Sequence, residues 1–463
     1  MARPGGAAAA ASTDPRIRVI DRLAARIASF PDLPIASLDP AGLEPRDAAF
    51  ARALDLAIAR RWLTLVALAE PHVDRGWARL QDPLKAAILA GTAQLFLLDR
   101  IPDHAAVGAS VEWAKRTAGD GAGGLVNAVL RRIAESRVEL LPAEHPDART
   151  AVGRVDLVPL SDGRAWRLAK PTFADETVAM LSSQTSHAKE LVVHWIGAHG
   201  REKTREICHH DLSEAPTLVT GLGDDARARH ADRIVPHSRP GWWCWNGSAA
   251  ELSAVLAGDP GARVQDPGSA EPVAAAKAAG LEPKVIVDLC AGRGTKTRQL
   301  AAAFPSAEVI ATDIDAARRR DLAALGREHE RSGGRIRAVD PGEVTGWFGK
   351  ADLVVLDVPC TNTGVLPRRP EARYRFTRDR LDSLLELQRE IAEGALPLLS
   401  PRGAVLYATC SLEPAENARQ AEWLRRRGGL TPVAERQRFP EGRPGDPASS
   451  YVDGGFHSVA SRG

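Results

Sequence analysis

The chain has 463 residues, too many for one hydrophobic core, so we expect two or three domains. Hydrophobic residues make up 44% and charged residues 26%, a soluble globular profile, and no run of 18 apolar residues predicts a membrane span. Five cysteines without paired spacing argue against a disulfide framework and indicate the reducing cytoplasm. A net charge of +2 means that an anionic partner needs a local basic patch.

The first 140 residues predict a disordered leader and a helical domain. Residues 1–13 are rich in Gly and Ala and lack the Leu, Val or Phe of a secretory signal. Residues 14–140 are rich in Ala, Leu and Arg, and Leu125, Val129 and Ile133 recur at helical spacing with arginines on the other face. This pattern predicts a helical bundle without a catalytic constellation.

The middle of the chain is less regular. Residues 141–165 lose helical periodicity and gain Pro, Asp and Gly, which predicts a linker. Residues 166–270 are mixed in character and predict a small α+β domain. The sequence CHHD at 208–211 has no second ligand pair at zinc spacing, so we predict no metal site.

Residues 271–463 predict a parallel sheet with crossover helices. Five β-branched runs, KVIVDLC, AEVIATD, GRIRAVD, ADLVVLD and GAVLYATC, are separated by helical or loop stretches, and one helix is predicted to begin at Thr377. The alternation is typical of an α/β Rossmann-like fold, whose ligands lie at the carboxyl ends of the strands. The fifth run ends at Cys410, which is therefore expected at the functional edge of the sheet.

A glycine-containing turn after the first run predicts a nucleoside cofactor. In VDLCAGRGTKT, Asp288 ends the strand and Gly292 and Gly294 permit a tight turn, while Asp313 ends the second strand, where a carboxylate can bind both ribose hydroxyls. The turn lacks the dinucleotide and Walker spacings, and its pattern suits S-adenosyl-L-methionine, with Asp340 placed to meet the adenine. The alternative is a tight turn that binds no ligand.

Two cysteines, Cys360 and Cys410, end neighbouring runs beside Asp357. Structural packing is the usual alternative for either thiol. The pair suits methylation of carbon 5 of cytosine, because a thiolate must add to C6 to activate that carbon. A second group must then help to remove the C5 proton and expel the thiol. An acid near N3 favours the addition, a role open to Asp357.

An arginine-rich segment follows Cys360. It contains Arg368, Arg369, Arg373 and Arg375, with aromatic residues interleaved. Such a run is usually a solvated surface. Beside a cofactor cleft, we interpret it as a contact with an RNA backbone.

Three motifs resemble those of the RNA cytosine-5 methyltransferases, namely DLCAGRGTKT, DVPCTNTG and YATCSLEPAEN. The sequences FARALDLAIARRWLTL, IPDHAAVGASVEWAK and GLVNAVLRRI resemble the NusB-like RNA-binding domain. Together they are most similar to bacterial members that modify 16S ribosomal RNA. The resemblance covers most of the chain and implies a multidomain enzyme: an all-α NusB-like domain, a small middle domain and a Rossmann-like methyltransferase domain. We expect it to act as a monomer on ribosomal RNA through a covalent Cys–C6 adduct.

The resemblance also implies roles for individual residues. Cys410 is expected to be the nucleophile, Cys360 to assist product release, and Asp357 to activate the base. The expected cofactor pocket comprises Asp288, Cys290, Ala291, Gly292, Arg293, Gly294, Thr295, Lys296, Asp313, Arg318, Asp340 and Asp357.

Two of the three motifs depart from the usual family sequences, and the Arg-Val-Asn sequence expected in the middle domain is not evident. Arg293 and Thr295 replace a Pro and a Gly of the cofactor turn, and the Pro-Cys motif continues with Thr361 and Asn362 instead of Ser and Gly. A β-branched residue in place of a turn glycine can reshape the pocket. Two alternatives stay open: a non-catalytic RNA-binding or ribosome-assembly protein with a degraded cofactor loop, and the same chemistry on transfer RNA.

Overall fold

The structure, a computed structural model, describes most of the chain. The described residues are 12–34, 38–99, 101–259, 261–331 and 333–463. Of the leader predicted at residues 1–13, only Ser12 and Thr13 lie within the described residues. No described helix is long and apolar enough to cross a membrane.

The chain forms two compact units, each of which combines segments that are distant in sequence. The first unit comprises the residues up to Glu214, Arg369–Arg375 and Arg443–Gly445. The second unit comprises Ala215–Arg368, Phe376–Gly442 and Asp446–Gly463. The predicted middle segment, residues 166–270, is therefore divided between them.

The first unit is mainly helical. Its helices before residue 215 are α1 (Pro15–Arg26), α2 (Pro45–Ala69), α3 (Asp82–Leu97), α4 (Asp103–Ala118), α5 (Asp120–Glu135), α6 (Pro146–Arg149), α7 (Thr177–Thr185), α8 (Lys189–His199) and α9 (Arg201–His210). Three strands, β1 (Arg137–Leu141), β2 (Leu157–Pro159) and β3 (Ala165–Leu168), form an antiparallel sheet of order β1–β3–β2. Helix α3 is apolar nearly all round and is buried at the centre of the helical core, which confirms the predicted bundle.

The segment 141–165, predicted as a linker, is folded. It contains α6 and β2, and Leu141, Ala151, Leu157 and Ala165 belong to one small buried core. Pro and Gly interrupt helical periodicity here, but a strand of three residues is too short to produce a periodic signal of its own. The structure therefore differs from the linker expected from composition.

The second unit begins with a small α+β region. Its elements are β4 (Leu218–Thr220), α10 (Asp224–Arg229), β5 (Ile234–Pro236), β6 (Trp242–Trp245), α11 (Ala249–Gly258), β7 (Arg263–Val264) and α12 (Pro267–Ala278). The four strands are antiparallel in the order β5–β6–β4–β7. The α+β character predicted for this part of the chain is confirmed.

A seven-stranded sheet follows. The remaining elements are β8 (Val285–Asp288), α13 (Thr295–Ala303), β9 (Glu308–Ala311), α14 (Ala316–Arg331), β10 (Ile336–Ala338), β11 (Ala351–Asp357), α15 (Ala372–Arg375, in the first unit), α16 (Arg378–Ala395), β12 (Leu399–Thr409), α17 (Ala418–Gly428), β13 (Thr431–Arg438) and β14 (Gly455–Ser461). The order is β10–β9–β8–β11–β12–β14–β13; the first five strands are parallel, and β14 and β13 are antiparallel. The five predicted runs are the five parallel strands, which confirms the Rossmann-like fold.

Helices cover both faces of this sheet because the strands are apolar on both sides. In β11, Val354 and Leu356 pack with α16 and α17, while Leu353 and Val355 pack with α12, α13 and α14. The chain order reverses between β8 and β11, and such a reversal opens a crevice at the carboxyl ends of the strands. The predicted site residues follow these strand ends.

Candidate active site

The turn between β8 and α13 is shaped by two glycines. Gly292 and Gly294 have φ angles of 58° and 85°, which favour glycine. A Cβ on Gly294 would lie 2.5 Å from the side chain of Leu325, whereas a Cβ on Gly292 would meet no atom within 4 Å. Asp313 fixes the turn from the end of β9, because its Oδ2 accepts a 3.0 Å hydrogen bond from the amide of Gly292. Gly292 therefore faces open space in which a ligand can approach the backbone.

Asp288, at the end of β8, is fully buried. Its Oδ2 accepts a 2.8 Å hydrogen bond from Thr297, while its Oδ1 has no hydrogen-bond partner among the described residues. Burial raises the pKa of Asp288 to about 7. A buried acceptor without a donor is costly, so this oxygen fits a ligand that brings its own hydrogen-bond donor.

Lys296 and Asp357 form an ion pair at the ends of α13 and β11. Their Nζ and Oδ2 atoms are 2.7 Å apart, and the lysine side chain is only 13% exposed. Burial alone would lower the pKa of Lys296, but Asp357, Cys410 and Asp288 raise it above its usual value. The ammonium therefore stays charged beside the cysteine predicted as nucleophile.

The other predicted cofactor residues differ in burial and in their ion pairs. Buried Asp313 also approaches Arg318, with 3.4 Å between Oδ2 and Nη1. Arg293 and Asp340 point outward, with side-chain exposures of 83% and 72%, and pair with Asp321 and Arg319, respectively. In the turn itself, Cys290 is half-buried, Ala291 is buried and Thr295 is exposed.

The two predicted catalytic cysteines lie side by side. Cys360 follows β11 and Cys410 follows β12, and these strands pair in parallel with Asp357 opposite Ala408. Their sulfurs are 3.3 Å apart; Cys360 is 8% exposed and Cys410 is half-buried. A hydrogen bond with Cys410 and burial raise the pKa of Cys360 well above its usual value, so Cys360 stays a protonated thiol near neutral pH.

A buried carboxylate behind the cysteines was not predicted. Glu416 is fully buried and accepts hydrogen bonds from the amide and hydroxyl of Thr361, from Ser411 and from Gln388, at 2.5 to 3.0 Å. Thr361 and Ser411 immediately follow the two cysteines, so one carboxylate holds both cysteine turns. Glu416 lies in the quoted YATCSLEPAEN motif, but its sequence context gives no sign that it is buried.

The predicted RNA-binding arginines have different environments. Arg369 is exposed, and its RNA contact stays a prediction. Arg368 pairs with Asp453 and Asp266 at 2.6 and 3.1 Å, within the second unit. In the first unit, the guanidinium of Arg375 donates to a backbone carbonyl. RNA contacts by these two arginines also stay predictions.

For Arg373, the RNA contact is wrong. This side chain is fully buried in the first unit, where it donates to the carbonyls of Arg60, Thr185 and Asp211. A buried guanidinium that satisfies three backbone acceptors is a structural group rather than a phosphate ligand.

Arg373→Ala is expected to destabilise the protein by about 3 kcal/mol or more, because three buried carbonyls lose a donor. Arg369→Ala, four residues earlier on the surface, is the matched control and should change stability by less than about 0.5 kcal/mol. Denaturant unfolding of both variants measures the difference. Equal losses of unfolding free energy in the two variants would show that the buried hydrogen bonds of Arg373 contribute nothing to stability.

Comparisons with known proteins show the family to which the chain belongs. Residues 278–437 match the profile of the family described as 16S rRNA methyltransferase RsmB/F, and residues 23–135 match the NusB family. The ribosomal RNA small subunit methyltransferase B of Pseudomonas putida is 32% identical over 377 residues, which cover 75% of this chain and 76% of that protein. The chain belongs to the RsmB/F family.

More distant comparisons extend over nearly the whole chain. The Vibrio cholerae protein named ribosomal RNA small subunit methyltransferase B is 28% identical over 430 residues, 91% of each chain. The crystal structure of PH0851 has a TM-score of 0.66 and 18% identity and covers 97% of this chain and 99% of that one, which shows that the fold is shared.

As a member of the RsmB/F family, the chain is a methyltransferase that uses S-adenosyl-L-methionine. The residues present fit this cofactor. The unpartnered Oδ1 of Asp288 suits its ammonium group, the open side of Gly292 leaves room for its amino-acid end, and Asp313 lies where a ribose binds in this fold. The replacements at Arg293 and Thr295 leave these features in place.

The two turn glycines predict separable defects. Gly294→Ala is expected to destabilise the fold by roughly 2–4 kcal/mol, because its Cβ would overlap Leu325 at a positive φ. Gly292→Ala should cost only about 1 kcal/mol in stability but weaken cofactor binding, because its Cβ enters the open space. Thermal unfolding and calorimetric titration with S-adenosyl-L-methionine measure the two effects. Unchanged cofactor affinity in Gly292→Ala would exclude this space as the cofactor site.

Proposed function

We propose that this methyltransferase modifies carbon 5 of a cytosine in small-subunit ribosomal RNA. The proposal is carried by the two thiols, 3.3 Å apart, that follow neighbouring strands beside the cofactor turn. A methyltransferase that acts on a nucleophilic nitrogen or oxygen has no need for such a pair, whereas carbon 5 requires covalent activation. The relatives named as ribosomal RNA small subunit methyltransferases and the NusB match support RNA as the partner.

Cys410 is assigned the attack on the base. It is the more accessible of the two thiols, and the charged Lys296 stabilises its thiolate. Addition of the sulfur to C6 breaks the C5–C6 double bond and makes C5 nucleophilic. We assign Asp357 to the polar edge of the base, where a proton shared with N3 favours this addition. S-adenosyl-L-methionine supplies the electrophilic methyl group that C5 takes.

Cys360 is assigned to product release. Transfer of the C5 proton to a water molecule re-forms the double bond and expels the Cys410 sulfur as a thiolate. Cys360 lies in contact with that sulfur, and its raised pKa keeps a proton available for the leaving group. The target cytosine must be unpaired or flipped to reach these groups. Action as a monomer in the cytoplasm is part of the proposal.

Methylation of purified RNA tests the proposal. The full-length protein is incubated with S-adenosyl-L-methionine carrying a labelled methyl group and with 16S ribosomal RNA, small ribosomal subunits or transfer RNA. We expect label in 16S ribosomal RNA and a bisulfite-resistant cytosine at one position. Label confined to transfer RNA would show that the substrate is transfer RNA and not ribosomal RNA. Cofactor binding without methylation of any RNA would favour a non-catalytic assembly protein.

A further inference from the structure

Asn362 occupies an unfavourable backbone position between the catalytic cysteines. Its φ is 61°, and the only other described non-glycine residue with a positive φ is Ser186. This left-handed region is costly for residues with a Cβ, although asparagine tolerates it better than most. Glycine is usual at this place in the family motif, and here the side chain of Asn362 makes contacts that hold the residue in this conformation.

Both ends of the Asn362 amide are bound to the cysteine turns. Its Nδ2 lies 2.8 Å from the carbonyl oxygen of Cys360, and its Oδ1 lies 3.3 Å from Sγ of Cys410. A carbonyl only accepts hydrogen bonds, so the nitrogen must face Cys360. The amide oxygen therefore faces the nucleophilic sulfur.

This orientation fixes the direction in which the two cysteine thiols donate their protons. The sulfurs of Cys360 and Cys410 are also 3.3 Å apart. When Cys410 donates its single proton to the oxygen of Asn362, its sulfur can accept the proton of Cys360. The chain of donors then runs from Cys360 through Cys410 to Asn362. An amide oxygen has no proton to give, so it stabilises a thiol and repels a thiolate.

The charged groups near Cys410 act in the opposite direction. Lys296, paired with Asp357, lies close enough for its charge and that of a Cys410 thiolate to stabilise each other. Glu416 lies behind Cys360 and acts on that thiol. Lys296 thus favours the reactive thiolate, and the side chain that opposes it on the sulfur itself is Asn362.

The geometry points to Asn362 as a further catalytic residue, whose amide oxygen orients the Cys410 thiol and holds its proton until the target nucleobase enters the site. That a nucleobase is the substrate rests on the proposed function. The contacts of Asn362 with the two cysteine turns do not.

Alkylation of Cys410 tests the inference without RNA or cofactor, so its outcome is independent of the substrate assignment. The full-length protein, Asn362→Gly and Asn362→Asp are treated with limiting iodoacetamide at one pH, and labelling of each cysteine is followed by peptide mass spectrometry. Glycine accepts the positive φ, and aspartate keeps the shape of asparagine but adds a negative charge. Cys244, buried in β6, reports any unfolding.

We expect Cys410 to be labelled about two- to tenfold faster in Asn362→Gly, which loses the amide acceptor. Labelling should be about tenfold slower in Asn362→Asp, where a negative charge faces the sulfur. Labelling of Cys244 should stay constant in all three proteins. Equal Cys410 rates, or slower labelling in both variants, would overturn the assignment, because a merely structural residue gives no opposite changes.

Discussion

Replacing Cys360 with alanine is expected to leave a covalent protein–RNA complex that survives a denaturing gel. The variant keeps Cys410, so the sulfur still adds to C6 and the methyl group is still transferred. The thiol in contact with the leaving sulfur is missing, and elimination becomes slow. Incubation with 16S ribosomal RNA and S-adenosyl-L-methionine should therefore convert much of the variant to a slowly migrating band.

The same experiment on Cys410 assigns the attacking sulfur. Cys410→Ala should lower methylation by roughly 10⁴-fold or more, because loss of a nucleophile removes the covalent route. The double variant Cys360→Ala, Cys410→Ala should form no adduct. An adduct that persists in the double variant would mean that another group attacks the base, and the roles assigned to the pair would have to be abandoned.

The meeting of these two cysteines could be predicted because it follows from backbone topology. Each cysteine comes directly after a β-branched run, and parallel strands end at the same edge of a sheet. The pairing of β11 with β12 then brings the thiols together. Asp288, Asp313 and Asp357 lie at the same edge for the same reason, because each of them ends or follows a parallel strand.

Side chains captured by tertiary contacts could not be predicted in the same way. Arg373 has the sequence context of a surface arginine, yet the carbonyls that bind its guanidinium come from segments more than 150 residues away in the chain. Glu416 has the context of an exposed acid, and only the fold shows that its donors follow both cysteines. The local sequence indicates which secondary structure a segment prefers, whereas the burial of these two side chains depends on partners that are distant in the chain.

The role of Asn362 could be predicted from the sequence only in part. Its departure from the usual glycine was visible in the sequence, but a substitution alone does not distinguish tolerance from function. The positive φ and the two hydrogen bonds of its amide supply the missing information. Departures from a motif are therefore most informative at positions where the backbone opposes the new residue.

Loss of the Glu416 carboxylate is expected to reduce kcat by roughly 100-fold, because both cysteine turns lose their common acceptor and small displacements of reacting groups are costly. Glu416→Ala leaves the donors from Thr361, Ser411 and Gln388 without their partner. The hydrogen bonds that Glu416 accepts from Thr361, Ser411 and Gln388 involve no residue of the cofactor turn. The affinity for S-adenosyl-L-methionine should therefore stay within about twofold in calorimetry. A parallel collapse of cofactor affinity would indicate global unfolding instead.

Glu416→Gln separates the charge from the hydrogen bonds. Its carbonyl oxygen can still accept from the Thr361 amide and from Gln388, and its amide group can donate to the two hydroxyls. We therefore expect kcat to fall by no more than about tenfold. A loss of kcat as large as that of the alanine variant would assign the effect to the charge of Glu416. The proposal that its hydrogen bonds hold the two cysteine turns would then be wrong.

The buried carboxyl of Glu416 also predicts a pH dependence of stability, for which Glu416→Gln is the control that cannot titrate. Burial raises the pKa of Glu416 to about 7, above its usual value of 4.5. Between these two values the folded protein retains a proton that the unfolded chain has lost, so this contribution to stability is greatest at low pH and disappears as pH rises through 7. Relative to Glu416→Gln, the parent protein should lose up to roughly 3 kcal/mol of unfolding free energy between pH 5 and pH 8. Parallel pH profiles for the two proteins would mean that the buried carboxyl keeps an ordinary pKa, because its four donors offset the effect of burial.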